Sequence, residues 1–230
     1  MTLQELHEKL LAWATDAARQ EELLRARRAW FDRSGEPHEE DRSYEARVNG
    51  MLDYYLYDHR PAGGQDTTLD LFLREQGQAY TSDQLTLFRA LGKTHHALFE
   101  VRKIRPGEWV RLRDVFSDHE LEVVERRQMA GLDKGDLLEA RLLPYQGQLF
   151  FSGAFVFHPR EVRRAVLAEA KKRRKAARGG PVDVKGFLAQ LSRMAQKLER
   201  YRNVKVESLY DFTAPLPTPP PVRSGGSGPA

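Results

Sequence analysis

The chain has 230 residues, 40% of them hydrophobic and 30% charged, which is typical of a globular protein of one or two domains. It has no cysteine, so disulfides, thiolate metal sites, iron–sulfur clusters and cysteine nucleophiles are excluded. The first residues lack the basic and apolar regions of a signal peptide, and no stretch approaches the roughly 18 apolar residues that a membrane span needs. We therefore expect a cytoplasmic protein that has no membrane partner.

Residues 1–97 predict a helical region. Thr2 and Glu5 have the spacing of a capping box, and apolar residues then recur every three or four positions until 34–37 (Ser-Gly-Glu-Pro) breaks the pattern. The periodicity predicts further helices with the approximate bounds 43–60, 68–76 and 82–95. The region as a whole is therefore predicted to be a helical layer.

Residues 98–158 show the alternation of apolar and polar residues that is typical of strands, with a turn signal about every ten residues. The predicted strands have the approximate bounds 98–105, 108–116, 121–128, 137–143 and 148–157. Five short strands in about 60 residues favour a small curled sheet or barrel. The predicted fold class is therefore α+β, with N-terminal helices, a central five-stranded barrel-like unit and two C-terminal helices.

Residues 159–212 predict those two helices, and the first is the most basic segment of the chain. Between 160 and 178, nine Lys or Arg residues and two Glu residues give +7, whereas the whole chain carries +4, so the remainder sums to −3. A local cluster of this kind can bind a partner where a diffuse excess would not. Most of its basic side chains share about a third of the helix circumference, opposite a set of apolar residues. We call the following residues the basic ridge: Arg160, Arg163, Arg164, Lys171, Lys172, Arg174, Lys175 and Arg178.

The basic ridge predicts binding to nucleic acid or to a ribonucleoprotein. Residues one helical turn apart are spaced about 5 Å along the axis, so their side chains can meet successive phosphates and release counterions. Trp109 and Phe151 of the neighbouring β unit are candidate stacking surfaces for bases. The sequence leaves two alternatives open: the ridge is only a solvated helix face, or it binds an acidic protein surface.

Two other functions are compatible with the sequence. One is a protein–protein adaptor, because the predicted helices within 2–31 and 183–201 carry continuous apolar stripes. The other is a hydrolase with a histidine and carboxylate metal site, although none of the seven histidines forms an H-E-x-x-H motif. Each of these functions would use a surface different from the basic ridge.

The candidate motifs for catalysis or for a cofactor each lack residues that their chemistry requires. Gly92-Lys93-Thr94 resembles the end of a phosphate-binding loop, but Leu87 occupies the position of that loop's first glycine. Ser152-Gly153 lacks the G-x-S-x-G elbow of a serine nucleophile. We therefore predict a non-enzymatic binding protein that has no catalytic residues, cofactor or metal ligands.

Residues 213–230 are rich first in proline and then in glycine and serine. Such a segment has too little apolar surface to fold, so it is predicted to be a disordered tail. Its prolines between 217 and 220 have the shape that aromatic grooves bind, and a plain linker is the alternative.

Several short motifs within residues 45–160 resemble a known arrangement. They are MLDYYLYD at 51–58, TLDLFL at 68–73, LFEV at 98–101, VRLRDV at 110–115 and GDLLEARLLP at 135–144. Together they are similar to the region that precedes the zinc-binding tail in bacterial SEC-C motif proteins. The cysteine-rich tail itself has no counterpart in this chain, so zinc binding does not carry over. The resemblance implies a soluble bacterial accessory protein, with no site residues transferred.

Overall fold

The structure, a computed structural model, describes residues 1–61, 64–126, 131–201 and 203–213. Helices precede and follow a closed five-stranded barrel, so the predicted α+β class is confirmed. Among the described residues, no helix is both long and apolar enough to cross a membrane. The predicted disordered tail lies outside the described residues, except for Thr213.

Within residues 1–61 and 64–94, the structure has five α-helices. Their bounds are α1 Leu3–Ala14, α2 Gln20–Ser34, α3 Tyr44–Tyr57, α4 Thr68–Gln76 and α5 Ser82–Leu91. Three of them begin with a capping box, in which a threonine hydroxyl and an acidic or amide side chain satisfy free backbone amides. Apolar side chains of α1, α3, α4 and α5 meet in one buried cluster that includes Leu6, Tyr55 and Phe88.

The first predicted helix is wrong as a single element, because the chain breaks between α1 and α2. The Thr15 hydroxyl donates a hydrogen bond to the carbonyl of Leu11 (2.9 Å), and the Asp16 carboxylate accepts one from the backbone amide of Ala18 (2.9 Å). Polar side chains that bond to nearby backbone compete with the helix in this way. The break lets the Tyr55 hydroxyl donate to the carbonyl of Ala14 (3.0 Å), which ties α1 to α3.

The barrel consists of five strands. Their bounds are β1 His95–Arg105, β2 Trp109–Asp114, β3 Glu120–Val124, β4 Leu137–Tyr145 and β5 Gln148–His158. The order around the barrel is β1-β2-β3-β5-β4, and β4 closes it by pairing with β1. Every pair is antiparallel except β3 with β5. The last part of the predicted third strand, 127–128, lies outside the described residues.

Apolar side chains fill the interior of the barrel, and helices cover its outer surface on one side. Inward residues such as Phe99, Leu112 and Leu138 fill the interior. The outer surfaces of β4 and β5 contact α5 and α3, so β4 is buried from Leu137 to Leu143. The outward positions of β2, in contrast, are only partly buried. One side of the barrel therefore remains accessible.

In the described part of the chain after the barrel, there are three helices: α6 Arg163–Ala176, α7 Val184–Arg200 and α8 Val206–Leu209. The apolar face of α6 meets Phe187 and Leu191 of α7 and barrel residues such as Leu98 in a second helical cluster. Helix α7 also contacts α2. Helices α6 and α7, which are the two C-terminal helices that the sequence predicted, therefore pack against the rest of the protein and do not project from it.

Candidate nucleic-acid interface

The basic ridge lies along α6 and the short 3₁₀ turn Arg160–Val162 that precedes it. Val166 and Ala170 are fully buried on the opposite side, so the apolar side of α6 packs against the rest of the protein, which the sequence had left open. Half of the ridge is occupied by the protein's own acids, because Arg160, Arg163, Lys172 and Arg174 form ion pairs.

The other half of the ridge is exposed to solvent. It consists of Arg164, Lys171, Lys175 and Arg178, which we call the free ridge residues. No acid among the described residues lies within ion-pair distance of them. Their charge is therefore available to a partner, whereas the paired residues already have their carboxylates.

Two carboxylates fix α6 against the barrel. Glu100 of β1 accepts from Arg113 of β2 (2.6 Å) and from Arg163 of α6. Asp118, in the turn after β2, accepts from Arg113 (3.1 Å) and from Arg174 of α6 (2.6 Å). Each acid thus joins a strand residue to the helix, and the free ridge residues are held beside the accessible side of the barrel.

These pairs keep their acids ionised. Burial alone would raise the pKa of Glu100, but hydrogen bonds from Arg163 and Arg113 hold that pKa below its usual value. Asp136 behaves in the same way, since Arg160 offsets its burial and lowers its pKa. The charges of the paired ridge residues are therefore balanced by these carboxylates, and the pairs hold α6 in position.

An open groove of about 390 Å³ lies where the start of α6 meets β1. Its walls carry the basic side chains of Arg102, Lys134, Arg160 and Arg163. Arg163 also donates from Nε to the carbonyl of Gly135 (2.8 Å), which sets the orientation of its side chain. The groove connects the barrel surface to the ridge, and its lining also includes the carboxylates of Glu100 and Asp136, which pair with Arg102, Arg163 and Arg160.

The two aromatic residues predicted to stack on bases lie in different environments. Trp109 is on the outward side of β2 and is partly exposed. Phe151 is 8% exposed, belongs to the barrel interior and packs edge-on against Phe155 at 5.0 Å between centroids. We therefore retain Trp109 as part of the interface and exclude Phe151, whose ring faces are covered.

A layer of buried charges lies between the barrel and the helices, and the sequence did not predict it. Arg141 of β4 donates to the Thr94 hydroxyl (2.7 Å) and to Asp58, which also accepts from Lys185 (3.0 Å). Although burial would raise the pKa of Asp58, Arg141 and Lys185 lower it. Burial raises the pKa of the fully enclosed Asp53, and Arg141 opposes this only in part.

Four side chains of this region carry buried polar atoms that have no hydrogen-bond partner in the described structure: Asp53, Glu139, Arg141 and His158. Glu139 lines a cleft of about 30 Å³ beside Trp30, Tyr54 and His96. This is room for about two water molecules, so the cleft fits solvent better than a substrate. Within the described residues, no three His, Asp or Glu side chains form a group that could hold a metal.

The described structure extends from the N-terminal helices through the barrel to α7 and α8. Residues 1–203 match the sequence model of a protein family, which is described as a family of unknown function, DUF7986. The chain belongs to the DUF7986 family. No curated protein and no solved structure matches the chain. The family description does not bear on the SEC-C resemblance or on a bacterial origin, so both stay predictions.

Proposed function

We propose that the protein is a non-enzymatic, cytoplasmic accessory protein that binds nucleic acid through α6. The observation that carries this proposal is the division of the ridge. Four of its eight cations are paired with the protein's own acids, whereas Arg164, Lys171 and Lys175 are exposed on α6 and Arg178 is exposed just after its end. Phosphates are the natural counterions for such a row of Lys and Arg.

The groove at the start of α6 supports the same proposal. Lys134 has no acid partner among the described residues and extends the unpaired basic surface beyond the helix, whereas Arg102 pairs with Glu100 and Glu120. Contacts between such a cation and phosphates give affinity without reading sequence. A ribonucleoprotein could present the same phosphates.

A protein adaptor would need a surface other than the ones predicted. Leu6 and Leu10 of α1 and Leu191 of α7 are fully buried in the protein's own clusters. Their apolar stripes are therefore already covered. No particular observation favours the adaptor or the hydrolase, so nucleic-acid binding is the function that we propose.

Charge reversal of the free ridge residues tests the proposal. Replacing Arg164, Lys171 and Lys175 with Glu should weaken binding of a fluorescently labelled nucleic acid about tenfold or more at low salt, because three phosphate contacts become repulsive. Arg174 is left unchanged, since its pairing with Asp118 helps to hold α6 in place. Fluorescence anisotropy measures the affinity, and circular dichroism checks the fold.

The matched control changes three exposed cations elsewhere: Lys9, Arg28 and Arg42. Three changes from Lys or Arg to Glu lower the formal net charge by six, from +4 to −2, in both variants. The proposal expects the control to bind almost as well as the natural protein. Equal losses in both variants would mean that only net charge matters, and no loss in the ridge variant would remove α6 from the interface.

A further inference from the structure

Trp109 is the first residue of β2 and lies on the outward side of that strand, beside the turn between β1 and β2. Its neighbours across the strands are Val124 of β3 and, beyond it, Phe150 of β5. All three side chains are partly buried, so they form an apolar row across three strands and not a closed core. A row of this kind, open on one face, can take a flat ring.

Cations flank this row. Lys103 Nζ and Arg111 Cζ lie over the Trp109 ring, 5.6 Å and 5.2 Å from its centroid and within cation–π range, so a stacked base would displace one of these flexible side chains from the ring. Arg111 is also paired with Glu122 (3.2 Å), whereas Lys103 has no acid partner among the described residues. A base stacked on Trp109 would therefore have positive charge close to its phosphates.

Further cations lead from this row to α6. The outward residues of β2 after Trp109 are Arg111 and Arg113, spaced about 7 Å apart as alternate residues of a strand are. Arg113 pairs with Glu100 (2.6 Å), which lines the groove together with Arg102 and Arg163. Arg111, Arg113 and the groove thus connect the aromatic row to the ridge, although these two arginines pair with Glu122, Glu100 and Asp118.

We propose that the ligand is a single-stranded nucleic acid, with one base stacked on Trp109 and its backbone running over Arg113 and the groove to the free ridge residues. This inference rests on the proposed function and adds its substrate class. Stacking on an aromatic ring such as that of Trp109 needs an unstacked base, which a single strand offers and an intact duplex does not. The strand order, with its parallel β3–β5 pair, is that of OB-fold barrels, a class that binds oligonucleotides on strands 2 and 3.

The test compares a labelled single strand with a duplex of the same sequence, both longer than the roughly 4–16 nucleotides that one such barrel covers. The single strand should bind at least about tenfold more tightly than the duplex. Replacing Trp109 with Leu keeps apolar bulk and removes the ring, so single-strand affinity should fall about tenfold. Trp109→Phe should restore most of it.

Tryptophan fluorescence gives an independent readout. Binding of the single strand should quench it in the natural protein, and Trp109→Phe should abolish the quenching although Trp13 and Trp30 remain. If the duplex binds as tightly as the single strand and Trp109→Leu has no effect, while reversal of the free ridge residues still abolishes binding, this inference is wrong and the proposed function stands. If neither nucleic acid binds, both are wrong.

Discussion

The titratable side chains of the protein lie in two kinds of environment, the solvated surface and the buried interior. On the surface, acids such as Asp118 pair with arginines and remain solvated. In the interior, burial dominates: it raises the pKa of Asp53 and lowers the pKa of His158 to about 4. These buried groups make stability depend on pH.

His158 gives a prediction at the residue scale. Because its pKa is about 4 in the folded protein and about 6.5 when unfolded, the unfolded chain takes up the proton first as the pH falls. Stability should thus be fully present above pH 6.5 and be lost towards pH 4. Between pH 7.5 and pH 5 the loss should be on the order of 2 kcal/mol, measured by urea unfolding.

His158→Gln should remove this part of the pH dependence, since glutamine does not titrate. The raised pKa of Asp53 acts in the opposite direction, because it favours the folded state as the pH falls, but it is the same in both proteins. Tyr210→Phe serves as the control, as it removes the hydrogen bond to His158 Nδ1 (3.0 Å) and keeps the imidazole. An unchanged pH profile in His158→Gln would contradict the assignment.

At the scale of elements, local signals predicted what local chemistry determines. Helix α4 matches its predicted bounds, since Thr67 and Asp70 cap its start and a glycine follows its end. The helix predicted over 82–95 stops instead at Leu91, because His95 and His96 pair with β4 as the first residues of β1. That pairing joins segments more than 40 residues apart, so no local pattern announces it.

The buried charges were missed for a related reason. Glu139 and Arg141 occupy alternate positions of a strand, the pattern of side chains that face water. They point away from the barrel interior, but α3 and α7 cover that surface, and the sequence gives no sign of which face a helix will cover. The same limit applied to Phe151 and Trp109, which the sequence could not assign to the inside or the outside of the barrel.

Gly35 gives a prediction at this scale, because it ends α2 where that helix meets α7. It has φ +86°, and a Cβ there would collide with the side-chain oxygen of Gln196. Gly35→Ala should therefore destabilise the protein by about 1–3 kcal/mol in urea unfolding, from backbone strain together with the collision. The natural protein and the variant should otherwise share the same fold by circular dichroism.

Gly107 provides the matched control for this substitution. It also has a positive φ, +75°, but no atom lies within 4 Å of a Cβ placed there. Gly107→Ala should then cost only the strain of the left-handed backbone, about 1 kcal/mol. Equal losses at both positions would show that contact between α2 and α7 does not limit the residue at 35.

At the scale of the whole molecule, charge and cover are distributed unevenly. Helices cover β4 and β5, α6 is fixed at the barrel's edge by Glu100 and Asp118, and the opposite side of the barrel stays accessible. The family match over residues 1–203 includes all of these elements. We infer that the helices support a barrel whose open side and adjoining basic helix form one binding surface.

The salt dependence of binding tests this account most directly. With three or four phosphates neutralised by the free ridge residues, the logarithm of the association constant for a labelled single strand should fall against the logarithm of salt concentration with a slope of about −2 to −3. Reversing Arg164, Lys171 and Lys175 should make the slope shallower by about 2, because each phosphate contact on a single strand contributes about 0.7. An affinity that does not change with salt, or a slope that the reversal leaves intact, would contradict nucleic-acid binding through α6.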